Sequence, residues 1–235
     1  MGQAERTRRH VAPSRGTPSD GECCSCREAA PLSLPRSILA CVNQRSVSAC
    51  LGLALVLGAC RAAPYEWHGT AYDPPRPAPS IQLAASDGSL FDLSAEAGRV
   101  VVVYFGYINC PDICPATLGN LAALMGDLGE QASGLRVVFI TVDPERDILP
   151  ALDDYLSAFD PTFLGLRGER PETDSVLAAY GVYAGMDEAA ASHEIEHSAR
   201  LFLIDQDGAL VAHYLWDVLR EDLLADVQHA LADET

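Results

Sequence analysis

Residues 100–115 read VVVVYFGYINCPDICP, a run of β-branched and aromatic residues that leads into two cysteines. The segment Val100–Phe105 is continuously apolar, which predicts a strand buried on both faces in the middle of an α/β sheet. From about residue 116 to 128, apolar residues recur at helical spacing. Cys110 and Cys114 therefore lie at a strand-to-helix junction, where α/β folds commonly place their functional sites.

The sequence on either side of this junction alternates between strand and helix patterns. Upstream, apolar runs at 81–83 and 90–93 flank an Asp-Gly turn, which predicts a β-hairpin. Downstream, the patterns predict strands at 135–142, 163–166, 199–204 and 210–214, and helices at 149–159, 173–180 and 218–231. Residues 181–197 show no clear pattern. This order predicts a thioredoxin-like three-layer α/β sandwich with a central mixed sheet and an N-terminal β-hairpin.

The charge of the chain excludes one large class of function. The formal net charge is -17, and all 16 basic residues are arginine. A protein that binds nucleic acid needs a basic face, and this sequence offers none. We therefore expect no nucleic-acid partner, whereas the acidic surplus could steer a basic partner domain.

The first 79 residues are interpreted as export and attachment segments. Residues 1–41 have no periodicity and are predicted to be disordered, or to precede the true translation start. Residues 42–59 are predicted to form a signal peptide, because a short apolar run follows Arg45. An uncleaved anchor helix or a buried helix are the alternatives for that run. Prolines recur in residues 60–79, which predicts an extended tether before a folded domain at 80–235.

The signal segment ends in Leu57-Gly58-Ala59-Cys60, which resembles a bacterial lipobox. In such signals the cysteine becomes the lipidated first residue of the mature protein. Lipidation at Cys60 would anchor the chain to a bacterial cell membrane, with the domain facing the periplasm or the cell exterior.

The cysteine pair is compatible with three kinds of site. A spacing of four residues in the first turn of a helix places both sulfurs on the same side, and the helix N-terminus favours thiolate. A structural disulfide is feasible after export, but a bridge across so small a loop would stabilise little. A redox-active dithiol and a soft-metal site for Cu(I) or zinc remain, and spacing alone does not separate them.

A third ligand favours the metal site. His197 directly precedes the predicted strand 199–204, which in a thioredoxin-like sheet lies next to the junction bearing the cysteines. Two thiolates and one imidazole form a three-coordinate set suited to copper, as Cu(I) or Cu(II). We therefore predict Cys110, Cys114 and His197 as metal ligands, with His193 as an alternative to His197.

Three motifs resemble those of the Sco/SenC family, in the family's order and within about residues 80–233. They are FGYINCPDICP at 105–115, VDPERD at 142–147 and EHSA at 196–199. Members of this family are thioredoxin-like, membrane-tethered proteins that help assemble the copper centre of cytochrome c oxidase. Two departures occur, since the family usually has Thr or Ser at the position of Ile108 and Asp at that of Glu196.

The resemblance implies specific roles for these motifs. Cys110, Cys114 and His197 would bind copper, and the two cysteines could also form a reversible Cys110–Cys114 disulfide. Asp143 and its neighbours 144–147 would lie near the site, although a turn with a helix cap explains them equally well.

Two functions follow from the resemblance. The first is a copper chaperone without turnover chemistry, which delivers copper to the copper-binding subunit of cytochrome c oxidase. The second is a thiol–disulfide oxidoreductase, with Cys110 and Cys114 as the redox-active pair, which keeps the oxidase's copper-ligand cysteines reduced. An upstream copper donor or a thiol reductant would be a further partner. Copper delivery requires His197, whereas disulfide exchange does not.

Overall fold

The computed structural model describes residues 65–186 and 195–232. The predicted N-terminal extension 1–41, the predicted signal peptide 42–59, Cys60 and His193 lie outside these ranges. Within them, no helix combines the length and apolarity that a bilayer crossing would need.

An eight-stranded mixed sheet forms the centre of the domain, in the spatial order β1-β10-β9-β4-β5-β6-β2-β3. Its strands are β1 (Thr70–Pro77), β2 (Gln82–Ala85), β3 (Leu90–Asp92), β4 (Val100–Gly106), β5 (Leu135–Thr141), β6 (Leu164–Arg167), β9 (Arg200–Ile204) and β10 (Ala209–Leu215). Strands β4, β5 and β6 are parallel, and the other neighbours pair antiparallel. A separate two-stranded sheet pairs β7 (Ala184–Met186) with β8 (Ile195–His197). Sequence patterns missed these two short strands.

In the described part of the chain, four α-helices accompany the sheet: α1 (Ile113–Leu128), α2 (Leu149–Ser157), α3 (Arg170–Tyr180) and α4 (Arg220–Ala232). Two short 3-10 helices cover Leu93–Glu96 and Gly129–Gly134. Helices α1 and α3 each begin about three residues earlier than the apolar pattern predicts, because their prolines lie in the first turn, where a missing N–H costs nothing. A reciprocal capping box between Glu169 and Glu172 also fixes the start of α3.

Strand β4 separates the two halves of the hydrophobic core. All seven of its residues are buried, and successive side chains point to opposite faces of the sheet. Val102 and Tyr104 pack in one cluster with residues of α1, α2 and α4. Val103 and Phe105 pack in the other cluster with residues of α3 and β2. The predicted doubly buried strand and the layered α/β architecture with a mixed sheet are thus confirmed.

The folded domain begins before residue 80, which corrects the predicted tether. Residues 70–77 form strand β1, which pairs antiparallel with β10 at the edge of the sheet. An edge strand tolerates proline, because its outer N–H groups need no ladder partner. The proline-rich segment is therefore extended, as predicted, but it is part of the sheet.

The buried carboxylate of Asp226 in α4 holds the start of this segment. It accepts hydrogen bonds from the hydroxyls of Tyr65 and Tyr214, both at 2.7 Å. It also contacts Nδ1 of His68 at 2.8 Å and accepts from the backbone N–H of the same residue at 2.9 Å. These partners compensate for the burial of a charged group, which would otherwise be costly. Residues 65–69 are thus anchored to the domain.

Candidate metal centre

The loop between β4 and α1 places the two cysteines at the start of a helix. Cys110 follows β4 by four residues and is half-buried, whereas Cys114 lies in the first turn of α1 and is fully buried. The backbone N–H of Cys114 donates to Cys110 Sγ at 3.3 Å. This bond satisfies one of the first-turn N–H groups that a helix leaves unpaired, and it places the sulfur at the positive end of the helix dipole.

The two thiols have different acidities. The pKa of Cys110 is lowered to about 4, mainly by a hydrogen bond with the Cys114 side chain and further by one with His197. The pKa of Cys114 is raised, first by that same hydrogen bond to Cys110 and then by burial. At neutral pH the pair therefore consists of a Cys110 thiolate and a Cys114 thiol. Both cysteines are free in this structure, so the predicted disulfide is not formed in it.

His197 ends β8 and reaches the cysteines from a distant part of the chain. Strand β9, which follows it after two residues, pairs with β4, and this pairing brings β8 next to the cysteine loop. The Nε2 atom of His197 lies 3.8 Å from Cys114 Sγ. The ring of Tyr107 packs edge-on against the imidazole, with 5.8 Å between ring centroids. The structure thus brings all three predicted ligands together.

The three ligand atoms fit a single soft cation. The two sulfurs and one imidazole nitrogen all lie within 4.8 Å of one another. Bonds of about 2.0–2.3 Å to sulfur and nitrogen place trigonal ligands about 3.5–4.0 Å apart. The 3.8 Å between Cys114 Sγ and His197 Nε2 falls in this range. Thiolate sulfur and imidazole nitrogen are also donor types that bind copper and zinc in preference to hard cations.

The site opens into a cleft of about 350 Å³. Its lining combines the ligands with neighbouring loop residues: Tyr107, Cys110, Pro111, Asp112, Ile113, Ile195, His197 and Ala199. An incoming group can therefore reach Cys110 and His197 from solvent.

The VDPERD motif forms a turn beneath the cysteine loop. The buried carboxylate of Asp147 accepts from the backbone N–H of Ile108 at 3.1 Å and from the hydroxyl of Thr141 at 2.6 Å. The Asp147 N–H in turn donates to the carbonyl of Asp143 at 2.9 Å. Burial raises the pKa of Asp147. The turn does not cap α2 through a side chain, so its visible role is to fix the loop that carries Cys110.

Sequence patterns missed two residues that position the buried cysteine. The hydroxyl of Tyr104 donates to Cys114 Sγ at 3.4 Å. Gly106 leaves room for the same sulfur, since a Cβ there would lie 2.8 Å from Cys114 Sγ. The two-residue period of β4 puts Tyr104 on the face that α1 covers. The contact of Tyr104 with Cys114 could therefore have been predicted once the side on which α1 packs was known.

We expect Asp147→Ala to lower Cu(I) affinity about ten-fold without removing a ligand. The substitution leaves the Ile108 N–H without its acceptor and loosens the loop. The conservative variant Asp147→Asn keeps one acceptor oxygen and should retain most of the affinity. Competition titration against a Cu(I) chelator measures both. Equal affinities for wild type and Asp147→Ala would show that the turn does not position the site.

Comparisons with known proteins agree with this geometry. Residues 71–232 match the SCO1/SenC family. A SCO2-like protein of Rickettsia conorii is 30% identical over 147 residues, which cover 61% of this chain and 72% of that protein. The copper-bound structure of Bradyrhizobium japonicum ScoI superimposes with a TM-score of 0.60 at 32% identity, covering 66% of this chain and 99% of that one.

The solution structure of apo Sco1 from Thermus thermophilus gives a TM-score of 0.63 at 31% identity, covering 72% of this chain and 99% of that one. These neighbours have the thioredoxin-like fold that the order of strands and helices predicts. The chain belongs to the SCO1/SenC family.

Proposed function

We propose that this protein binds copper through Cys110, Cys114 and His197 and delivers it to the copper-binding subunit of cytochrome c oxidase during assembly. The SCO1/SenC family handles copper for the assembly of that oxidase. The observation that carries the proposal is the convergence of two sulfurs and an imidazole nitrogen within 4.8 Å. The copper-bound Bradyrhizobium japonicum ScoI structure supports copper as the metal.

The three ligands differ in how a metal would reach them. Cys110 is half-exposed and already ionised, so it is the first sulfur available to an incoming cation. Cys114 is buried and must lose its proton before its sulfur can bind. His197 lies in the cleft and can offer Nε2 as a neutral donor. Copper is the cargo in this scheme, and it passes to the recipient by exchange of ligands.

The decisive experiment compares wild type with His197→Ala. We expect the wild type to bind one copper ion per chain and the variant to lose at least about ten-fold in affinity, because a ligand is removed. Titration with Cu(I) in the presence of a competing chelator, and with Cu(II) by absorbance, measures this. Absence of stoichiometric copper binding by the wild type, or binding that ignores the substitution, would reject the proposal.

A second function has support from the unequal cysteines. A half-exposed thiolate beside a buried thiol is an arrangement suited to disulfide exchange. Cys110 would attack a partner disulfide, release one partner thiolate and form a mixed disulfide. Cys114 would then give up its proton, attack Cys110 Sγ and release the second partner thiolate, which can take up that proton; the products are a Cys110–Cys114 disulfide and a partner reduced by two electrons. Exchange should survive His197→Ala, so the same variant separates the two functions.

We further propose that the domain is attached to a bacterial membrane through a lipid on Cys60, facing the periplasm or the cell exterior. The lipobox-like sequence 57–60 supports this location. Cells fed a radioactive fatty acid should label the wild type and leave Cys60→Ser unlabelled. Equal label on both proteins, or on neither, would reject the anchor.

A further inference from the structure

Large apolar side chains are exposed at the end of β10 and in the connection that follows it. Among the described residues, six of these side chains are exposed: Leu90, Ile148, Tyr183, Leu215, Trp216 and Leu219. Two of the six, Trp216 and Leu219, fall in the four-residue connection 216–219 between β10 and α4, and a third, Leu215, is the last residue of β10. Single exposed apolar residues are ordinary on a protein surface, whereas a contiguous group of them marks an interaction surface.

The connection 216–219 leaves the sheet at the same end as the cysteine loop. Strand β10 is antiparallel to β9, and β9 is antiparallel to β4. Strands β4 and β10 therefore point in the same direction, and their carboxyl ends lie at the same end of the sheet. The cysteine loop follows the end of β4, and Leu215 is the last residue of β10.

A backbone hydrogen bond joins this connection to the metal centre. The N–H of Trp216 donates to the carbonyl of Ala199 at 3.1 Å. Ala199 follows His197 by two residues and lines the same cleft as Cys110. The Trp216 side chain is 42% exposed. The backbone of Trp216 thus adjoins the cleft from which the ligands are reached, and its side chain, of the kind enriched at protein interfaces, lines a neighbouring pocket with Thr117 and Leu121 of α1.

Acidic residues outnumber basic ones beside the apolar residues, and the exposed Arg220 that follows Leu219 is ion-paired with Asp127 at 3.0 Å. Asp217 is exposed beside Trp216, Glu221 is exposed in the first turn of α4, and Asp112 is exposed in the cysteine loop. The whole chain has a formal net charge of -17. An acidic rim repels an anionic lipid surface, and it complements a protein surface rimmed by Lys and Arg.

We propose that Leu215, Trp216 and Leu219 form the docking surface for the protein that exchanges copper with this site. The partner surface would have an apolar centre and a basic rim. This inference rests on the proposed function, because ligand exchange requires the ligands of the partner to come within bonding distance of the same metal. A partner that reaches the cleft must then cover the adjoining apolar residues.

The test uses the full chain loaded with Cu(I) and the soluble copper-binding domain of the oxidase subunit as the acceptor. Trp216→Ala should lower the second-order rate constant of transfer about ten-fold or more, as expected for an aromatic contact at the centre of an interface. Leu215→Thr/Leu219→Ser is a second variant, in which the β-branched threonine suits the end of strand β10. Both variants should bind copper with wild-type stoichiometry. Added salt should slow transfer by the wild type.

Leu90→Ser is the matched control, since it removes an exposed leucine from β3, at the far edge of the sheet. It should transfer copper at the wild-type rate. Wild-type rates in both patch variants would overturn the docking surface and leave the proposed function standing. Failure of the wild type to transfer copper would overturn the proposed function and this inference with it. Binding of the wild type, but not Trp216→Ala, to phosphatidylcholine vesicles would assign the patch to lipid instead. Dimers that dissociate on the same substitution would assign it to a second copy.

Discussion

Cys110→Ser is expected to abolish stoichiometric copper binding and to lower the affinity by about 100-fold or more, beyond the loss expected from changing a supporting residue. Serine is nearly the same size as cysteine, but its hydroxyl is a hard donor and stays protonated at neutral pH. The substitution therefore removes the one thiolate that is both ionised and accessible. Competition with a Cu(I) chelator, read by absorbance, gives the affinity directly.

The control for this result is Ala116→Ser, an exposed position in the first turns of α1 that contributes no ligand. It should bind copper as the wild type does. Cys114→Ser should match Cys110→Ser in copper binding while remaining folded, because the hydroxyl of Tyr104 can pair with the new one. Wild-type affinity in Cys110→Ser would mean that the copper ligands lie elsewhere.

Asp226→Ala is expected to lower the free energy of unfolding by about 3 kcal/mol, a large effect for one side chain. The substitution leaves the Tyr214 hydroxyl buried without an acceptor and frees the backbone N–H of His68. Asp226→Asn retains one acceptor oxygen and should cost less. Urea unfolding followed by tryptophan fluorescence measures both, and Glu221→Ala, an exposed acidic position in the same helix, is the control. Equal stabilities of Asp226→Ala and wild type would show that the carboxylate does not anchor residues 65–69.

The same cluster predicts a direction for the pH dependence. The pKa of His68 is raised, mainly by its hydrogen bond with Asp226. Its contribution to stability is therefore fully present below the unfolded pKa of about 6.5 and is lost as the pH rises through the higher folded value. This dependence should be absent in His68→Gln.

The sequence predicted those parts of the site that depend on local patterns. The apolar run before Cys110 defined the central strand, and the four-residue spacing placed both sulfurs at one helix start. His197 was reached only by assuming a strand order, because β8 is distant from the cysteines along the chain. That assumption was correct, since β9 does pair with β4.

The parts that the sequence could not predict depend on contacts between distant segments. Pro74, Pro75 and Pro77 predict an extended polyproline tether, yet the edge of a sheet also accepts proline, and these residues lie in β1. Asp226 appears in the sequence as one more acidic residue of a helix. Its burial follows only from the approach of Tyr65, 161 positions earlier. The sequence pattern predicts Tyr104 only as a core residue. The hydrogen bond from its hydroxyl to Cys114 follows from the packing of α1 against β4.

The origin of the three ligands has a thermodynamic consequence. Cys114 and His197 are 83 positions apart in the chain. A cation held by both is therefore a cross-link that closes a long loop of the unfolded chain, and any ion that binds only the native state raises the melting temperature with its own concentration. Linkage works equally in the other direction. A substitution far from the cysteines that appreciably populates the unfolded state therefore lowers the apparent affinity for the ion, in proportion to the folded fraction that is lost.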